Sequence, residues 1–303
     1  MCAVAIIVAS VSAAAADAPP SDVYRQSRED AWWTGPILAA GAGTLPKGHM
    51  LVEPYLFDIV NHGRFDADGN RHSAPTRGHN YGSLTYINYG LLDGFTVGVI
   101  PRFGEGPGLG DFQVQGTLRL TQFREGSYVP TTSIVITETL PTGKYDRLGS
   151  RPQDGLGSGA YTTSIALYSQ YFLWMPNGRI LRTRLNLSYS LPGDVTVNGV
   201  SVYGTDEGFH GHAKPGRAFV VNSSWEYSVT RNWVLALDVV YENDTSTRVD
   251  QWRSGSSDVF TVAPAVEYNF NSRIGFIAGA ILTPKGRNAS ANVVPAMALN
   301  MVF

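Results

Sequence analysis

The closing stretch Asn292-Val-Val-Pro-Ala-Met-Ala-Leu-Asn-Met-Val-Phe303 decides how the whole chain is read. Counted back from Phe303, the residues Met301, Leu299, Met297 and Val293 fall on one parity, and in a strand they share one face. The other face carries Asn300, Ala298, Ala296 and Val302, small and polar residues mixed with apolar ones. An apolar period of two that runs off the chain end onto an aromatic is the habit of outer-membrane barrels, whose aromatics form girdles at the interfaces. Taken alone, the stretch also fits the last strand of a soluble sheet.

Composition narrows the choice. The chain has 303 residues, a net charge of −2 and 16% charged residues, enough length for one large all-β unit and too little charge to point to nucleic acid. Glycine is abundant at 33, with 15 tyrosines and six tryptophans, which suits many strands, turns and interfacial rings. A mean hydropathy of −0.08 excludes a bundle of membrane helices.

Residues 2–16 form the one long apolar run, too short to span as a helix. With Ala14-Ala15-Ala16 before Asp17, residues 1–16 read as a secretory signal peptide. The sole cysteine, Cys2, lies inside it, so neither disulfides nor thiol chemistry are expected in the exported chain. Residues 17–47, with Pro19-Pro20, Arg25, Arg28, Glu29, Asp30 and Trp32-Trp33, lack a period and read as an irregular periplasmic or lumenal segment. A periplasmic extension is the plainer expectation, since chain ends are often poorly tied down. A lumenal segment anchored by the two tryptophans is the alternative.

From residue 48 to 303 twelve runs of strand length follow, at 48–61, 79–90, 95–103, 111–123, 130–141, 159–174, 180–192, 216–229, 233–244, 257–270, 273–283 and 291–303. Short and long connections alternate between them, 284–290 being read as the last long loop. Short turns on one side and long loops on the other are the mark of a transmembrane antiparallel up-and-down β-barrel, here of about 12 strands. Residues 233–242 set Trp233, Leu235, Leu237, Val239 and Tyr241 against Asp238 and Glu242. The same alternation fits an exported soluble sandwich with the faces reversed. Aromatic placement separates the two, because Phe95, Phe172, Trp174, Tyr227, Trp233, Tyr268, Phe270 and Phe303 all fall beside the short turns. Trp174, Trp233, Phe270 and Phe303 are therefore expected at the membrane interface.

The polar face gives the candidate pore lining, Glu53, Arg102, Arg119, Arg182, Arg184, Glu226, Asp238, Glu242 and Glu267. Arginines fall on one half of the circumference and carboxylates on the other; Asp111 and Glu138 depart from the pattern. Such a lumen is either paired or hydrated, since an unpaired charge in a dry interior is too costly. Twelve strands lie between the filled interior of eight and the open channel of sixteen, so a narrow or partly plugged passage is expected.

Weaker signals give way to plainer readings. Asp66-Ala-Asp68-Gly69-Asn70 imitates a calcium loop but places Arg77 where a bidentate Glu is needed, so a tight turn is expected. His62, His72, His79, His210 and His212 fall in or beside outer loops without carboxylate or cysteine partners at ligand spacing. Gly106-Pro-Gly-Leu-Gly110 has no following helix and makes no phosphate cradle. A lipid hydrolase needs His and Ser together on an outward face near the rim, and His72-Ser73 are adjacent residues of a loop. No metal, cofactor or catalytic residue is expected.

Thr44-Leu-Pro-Lys-Gly48 with Glu53-Pro54-Tyr55, Gly108-Leu-Gly110-Asp111 and Leu140-Pro-Thr-Gly-Lys-Tyr-Asp146 carry a resemblance. Over roughly residues 35–303 the chain resembles the "MetA-pathway of phenol degradation" family of outer-membrane proteins. The resemblance implies a transporter-like barrel for aromatic or other hydrophobic compounds. The expectation is an outer-membrane channel passing a small solute through a narrow charged lumen. Its partners are outer-membrane lipid, the barrel-assembly machinery reading Phe303, and the solute. A closed adhesion barrel acting through loops 62–78 and 193–215 is the second reading, and a lipid hydrolase the third.

Overall fold

The computed structural model describes residues 24–75, 78–104 and 108–303, so the expected signal segment 1–16 lies outside the described residues. Twelve long strands form one closed antiparallel up-and-down barrel. They are β1 Met50–Phe65, β2 His79–Leu92, β3 Phe95–Ile100, β4 Phe112–Thr121, β5 Thr131–Leu140, β6 Thr162–Trp174, β7 Ile180–Pro192, β8 Ala218–Ser228, β9 Trp233–Asp244, β10 Ser257–Asn269, β11 Ile274–Arg287 and β12 Ala289–Val302. The ring closes through β1, which pairs with β12 on one edge (Leu51 opposite Val302, Phe57 opposite Ala296) and with β2 on the other (Glu53 opposite Tyr86). Among the described residues the ring itself has no open edge for another chain to extend.

The faces are inverted relative to a soluble sheet. On β9, Trp233, Leu235, Leu237 and Tyr241 are exposed while Val234, Ala236, Asp238 and Val240 are buried. On β8 the buried set is Asn222, Ser224, Glu226 and Ser228, whereas Trp225 is exposed. Water on the outside would penalise this arrangement, whereas hydrocarbon around an apolar wall favours it. Trp233, Tyr268 and Phe270 pack as one outward cluster, tilted and edge-to-face, with ring centroids 4.7 and 5.0 Å apart. Phe303 joins their level, its backbone paired with Met50 at the start of β1.

The connections on the girdle side are short, and Gly94 (φ 90°) and Gly178 (φ 78°) take left-handed turn positions there that disfavour a side chain. On the opposite side the loops between β7 and β8 and between β9 and β10 build a small sheet from Val195–Asn198, His210–Lys214, Arg248–Val249 and Trp252–Arg253. It has its own core of Ala160, Val195, Val197, Ala213 and Val249. The β5–β6 loop is tied to this cap: Arg147 N–H donates to Asn198 O (3.0 Å), and the Tyr203 hydroxyl donates to Ser158 O. The departing carboxylate Asp111 serves the same loop, accepting from Gly143 N–H (3.0 Å), Ser158 N–H (2.7 Å) and the Ser158 hydroxyl (2.8 Å).

The expected long loop 284–290 is instead mostly strand: the β11–β12 ladder ends at Leu282 opposite Val293, beyond which β11 stays paired with β10 and β12 with β1. β11 runs to Arg287 and β12 starts at Ala289, leaving Asn288 (φ 49°) as the turn. Pro284, Lys285 and Gly286 read as loop chemistry, yet a strand that rises past the membrane level tolerates charge on its solvated outer part. Asp66 caps the β1 turn as expected, accepting from Asp68 N–H (3.0 Å) and Asn70 N–H (2.8 Å).

Candidate functional site

The lumen is not empty. Residues 31–45 run through it in contact with the inner wall, whereas Tyr24, Arg25, Arg28 and Glu29 are exposed at its mouth, so a periplasmic extension does not describe residues 31–45. The segment enters at the girdle-side mouth, where Gln26 N–H donates to Gly178 O (2.9 Å) and the Gln26 amide donates to the Ser228 hydroxyl (2.8 Å). Trp32 and Trp33 hold it by stacking, with Arg231 over Trp32 at 4.8 Å and Arg182 over Trp33 at 4.5 Å. It then climbs the β9–β10 wall, crosses the lumen, and descends to β3 before entering β1.

An irregular segment has backbone groups that no ladder satisfies, and in a barrel they must find side chains. Two buried carboxylates take that role. Glu267 accepts from Thr34 N–H (2.7 Å) and Gly35 N–H (3.1 Å), and Asp238 accepts from Leu38 N–H (3.1 Å) and Ala39 N–H (3.0 Å). Carbonyls meet donors: Arg184 Nη1 reaches Ala39 O (2.6 Å), Asn186 Nδ2 reaches Ala40 O (2.9 Å), and Ser133 Oγ reaches Ala42 O (2.5 Å) on the far wall. Thr96 accepts from Leu45 N–H (2.9 Å) where the segment comes down. Asp238 is five positions above Trp233, which places the top of this arch about 13 Å above the girdle for strands tilted near 40°. That is mid-membrane for an apolar band of about 25 Å.

Room for the arch comes from small wall residues. Ile37 packs into a buried cluster of Tyr55, Ala236, Ala265, Ile277, Ala296 and Ala298. A Cβ on Gly275 would stand 2.0 Å from the Thr34 hydroxyl, and one on Gly90 would stand 2.0 Å from Pro46 O. These alanines and glycines are the signal in the sequence that could have placed the segment inside.

The remaining candidate residues sort by what they touch. Arg182 and Arg184 share Glu226 on the neighbouring strand; Arg182 Nε donates at 2.7 Å and Arg184 Nη2 at 3.3 Å. The two walls of opposite charge thus do not face each other across open water. The two arginines share one carboxylate next door, Asp238 is bonded to the arch through both oxygens, and Glu267 is bonded to it through Oε2, its Oε1 being buried without a hydrogen-bond partner. Glu53 faces the lumen with one amide donor, Asn300 Nδ2 at 3.1 Å. Arg102 lines the same cavity and donates to Gln113 Oε1 (3.2 Å). Arg119 is half-buried on the inward parity of β4, between exposed Leu118 and Leu120, near the girdle-side turn at Gly94. Glu242 is half-buried two positions above buried Val240 on the same face. Glu138 faces outward beside exposed Ile136 and accepts from the Thr163 hydroxyl (2.6 Å).

Of the four interface aromatics, Trp233, Phe270 and Phe303 face outward and are exposed. Trp174 is a correction: it faces the lumen, donates to Gln26 O (2.8 Å) and lies under Arg25 at 4.2 Å. Its neighbour Phe172 is buried against Ala31 and Phe123. Both share their parity with lumenal Tyr168 and Gln170, while Leu173 takes the outward face. Height along the barrel axis, without the face, placed these two rings wrongly.

Above the arch a cavity of about 610 Å³ is bounded by residues 34–41, Glu53, Tyr86, Arg102, Gln115, Tyr168 and the Arg184 region. At the capped end a second space of about 900 Å³ lies between Trp252 and Thr247 of the loops and Phe65, Asn288 and Ser290 of the rim. Among the described residues no group of three or more His, Cys, Asp or Glu is arranged to hold a metal ion.

These features define an outer-membrane-type β-barrel whose lumen is bridged by its own N-terminal segment. The chain belongs to the family described as "Putative MetA-pathway of phenol degradation", whose model matches residues 58–292. The bridging segment lies outside that match. The fold is similar to that of an outer-membrane channel from Pseudomonas putida F1, with a TM-score of 0.72, 13% identity, and coverage of 88% of this chain and 100% of that one. It is also similar to the NanC porin, with a TM-score of 0.50, 8% identity, and coverage of 82% of this chain and 98% of that one. At these identities the likeness is one of fold. A search of functionally curated proteins returned no match.

Proposed function

We propose that the protein is a passive outer-membrane channel for a small solute, aromatic or otherwise largely hydrophobic, whose passage is narrowed by the lumenal arch. The observation that carries the reading is the cavity of about 610 Å³ left between arch and wall, a size typical of small-molecule sites. Its boundary mixes tyrosine rings with amides, hydroxyls and few free charges, which suits a ring bearing a polar group better than a hydrated inorganic ion. The family description, which names phenol degradation, supports the same solute class. The outer membrane is the proposed location, with lipid around the exposed apolar wall and the assembly machinery reading Phe303.

The test is flux from liposomes carrying the purified protein. Release of a small aromatic acid that does not cross lipid unaided is expected, with retention of an oligosaccharide too large for the cavity. Retention of both by a folded, inserted protein would sink the reading. The cap sheet with its own core favours a second reading, an adhesion barrel acting through its loops. Trimming residues 196–212 separates them: permeability changes under the first reading, surface attachment under the second.

A further inference from the structure

Three groups on one patch of the lumen wall are left over once the arch and its anchors are accounted for. Glu53 on β1 stands directly opposite Tyr86 on β2, and Leu84, two positions further along β2, stands opposite Arg102. Two interstrand steps and two residues of rise put the Glu53 and Arg102 Cα atoms about 12 Å apart, with Tyr86 between them. All three border the same cavity. Among the described residues neither charge has an oppositely charged partner within salt-bridge distance; Glu53 accepts from Asn300, and Arg102 donates to Gln113. Tyr86 is fixed edge-on by Tyr55, with centroids 5.8 Å apart at 74°.

Arg182, Arg184 and Glu226 lie side by side and Asp238 is bonded to the arch, whereas half-buried Glu53 and exposed Arg102 each have only an amide partner. Groups so placed are completed by water, and a ligand bearing complementary groups can take that water's place. Guanidinium matches a carboxylate through paired donors, and a carboxylate takes a hydroxyl donor. A flat ring between them meets the Tyr86 ring.

We infer that this patch is a solute-binding site for a small aromatic carboxylate carrying a hydroxyl at its far end. Arg102 takes the carboxylate, Glu53 accepts from the hydroxyl, and Tyr86 packs on the ring. The inference rests on the channel reading above, whose solute class it narrows.

Calorimetric titration of the detergent-solubilised full-length protein tests it with three probes: 4-hydroxybenzoate, benzoate, and tyramine, which has the hydroxyl but a cationic end. The expected order is 4-hydroxybenzoate tightest, benzoate about tenfold weaker, and tyramine without measurable binding. Arg102→Gln weakens both acids at least tenfold, and Arg102→Lys restores part of the loss. Glu53→Gln brings 4-hydroxybenzoate close to benzoate. Heat-modifiable gel mobility establishes that each variant is folded. Equal binding of the three probes, or unchanged affinities in folded Arg102→Gln and Glu53→Gln, overturns the site. Bilayer conductance measured in parallel keeps the two ideas apart: conductance without this binding order leaves the channel and removes the site, and the binding order without conductance leaves the site and removes the channel.

Discussion

Asp238→Ala is the perturbation that reaches furthest into the account. The carboxylate is fully buried and accepts from two consecutive backbone groups, Leu38 N–H at 3.1 Å and Ala39 N–H at 3.0 Å. Hydrogen bonds to a charged group contribute roughly 1.5–3 kcal/mol each. Water admitted to the vacated space recovers part of that, leaving about 2–3 kcal/mol of lost hold on the arch. At about 1.4 kcal/mol per factor of ten, the displaced arch becomes some 30–150 times more populated relative to the seated one. The assay is single-channel recording in planar bilayers, where excursions to a larger conductance are expected to gain frequency by that order while the barrel keeps its heat-modifiable mobility. Asp238→Asn retains one acceptor oxygen and falls between. Event statistics identical to wild type in folded Asp238→Ala would refute the claim that backbone donors on this carboxylate hold the arch.

Other consequences follow from the same geometry. Gly90→Ala puts a methyl against Pro46 O and costs about 1–3 kcal/mol by overpacking, read as a lowered unfolding temperature. Trp174→Ala removes the hold on Gln26 and Arg25; it is expected to speed proteolysis of the N-terminal segment in the folded barrel, an effect that outward-facing Trp233→Ala lacks. Deleting Phe303 impairs assembly into membranes while leaving solute preference unchanged in the fraction that folds, measured by insertion yield and flux. Burial pushes the Tyr203 hydroxyl up to about 12, aided by Asp111 and Tyr145. The folded cap therefore holds this proton more tightly than the unfolded chain, so the stabilisation is complete below about pH 10 and is lost between pH 10 and 12. Tyr203→Phe is expected to flatten that part of the profile of loop proteolysis against pH.

What was legible from the sequence is what repeats locally. The period of two on β9 and β12 and the alternation of turn lengths give the barrel and its strands without help from distant contacts. The extension of β11 and β12 past Leu282 and Val293 is not legible because Pro284, Lys285 and Gly286 look like a loop wherever strands are taken to end at the membrane surface, and their partners lie on β10 and β1. Nearness to a turn gives the height of Trp174 but not its face, which its parity against exposed Leu173 sets. The arch escaped for a deeper reason: its structure is held by partners about 90 to 240 residues away, such as Ser133, Asp238 and Glu267, and no local pattern records them. The empty volume implied by Gly275, Ala296 and Ala298 on lumen-facing positions was the available trace. Likewise the separation of arginines from carboxylates is real in sequence, but its meaning depends on Glu226 lying beside Arg182 and on Asp238 and Glu267 bonding the arch.

The central claim is that solute passes between the arch and the wall. Single-channel conductance of the full-length wild-type protein tests it most directly. Discrete, small, reproducible conductance steps that are reduced by millimolar 4-hydroxybenzoate are the predicted result. Absence of any conductance from folded protein inserted in the bilayer would contradict the account.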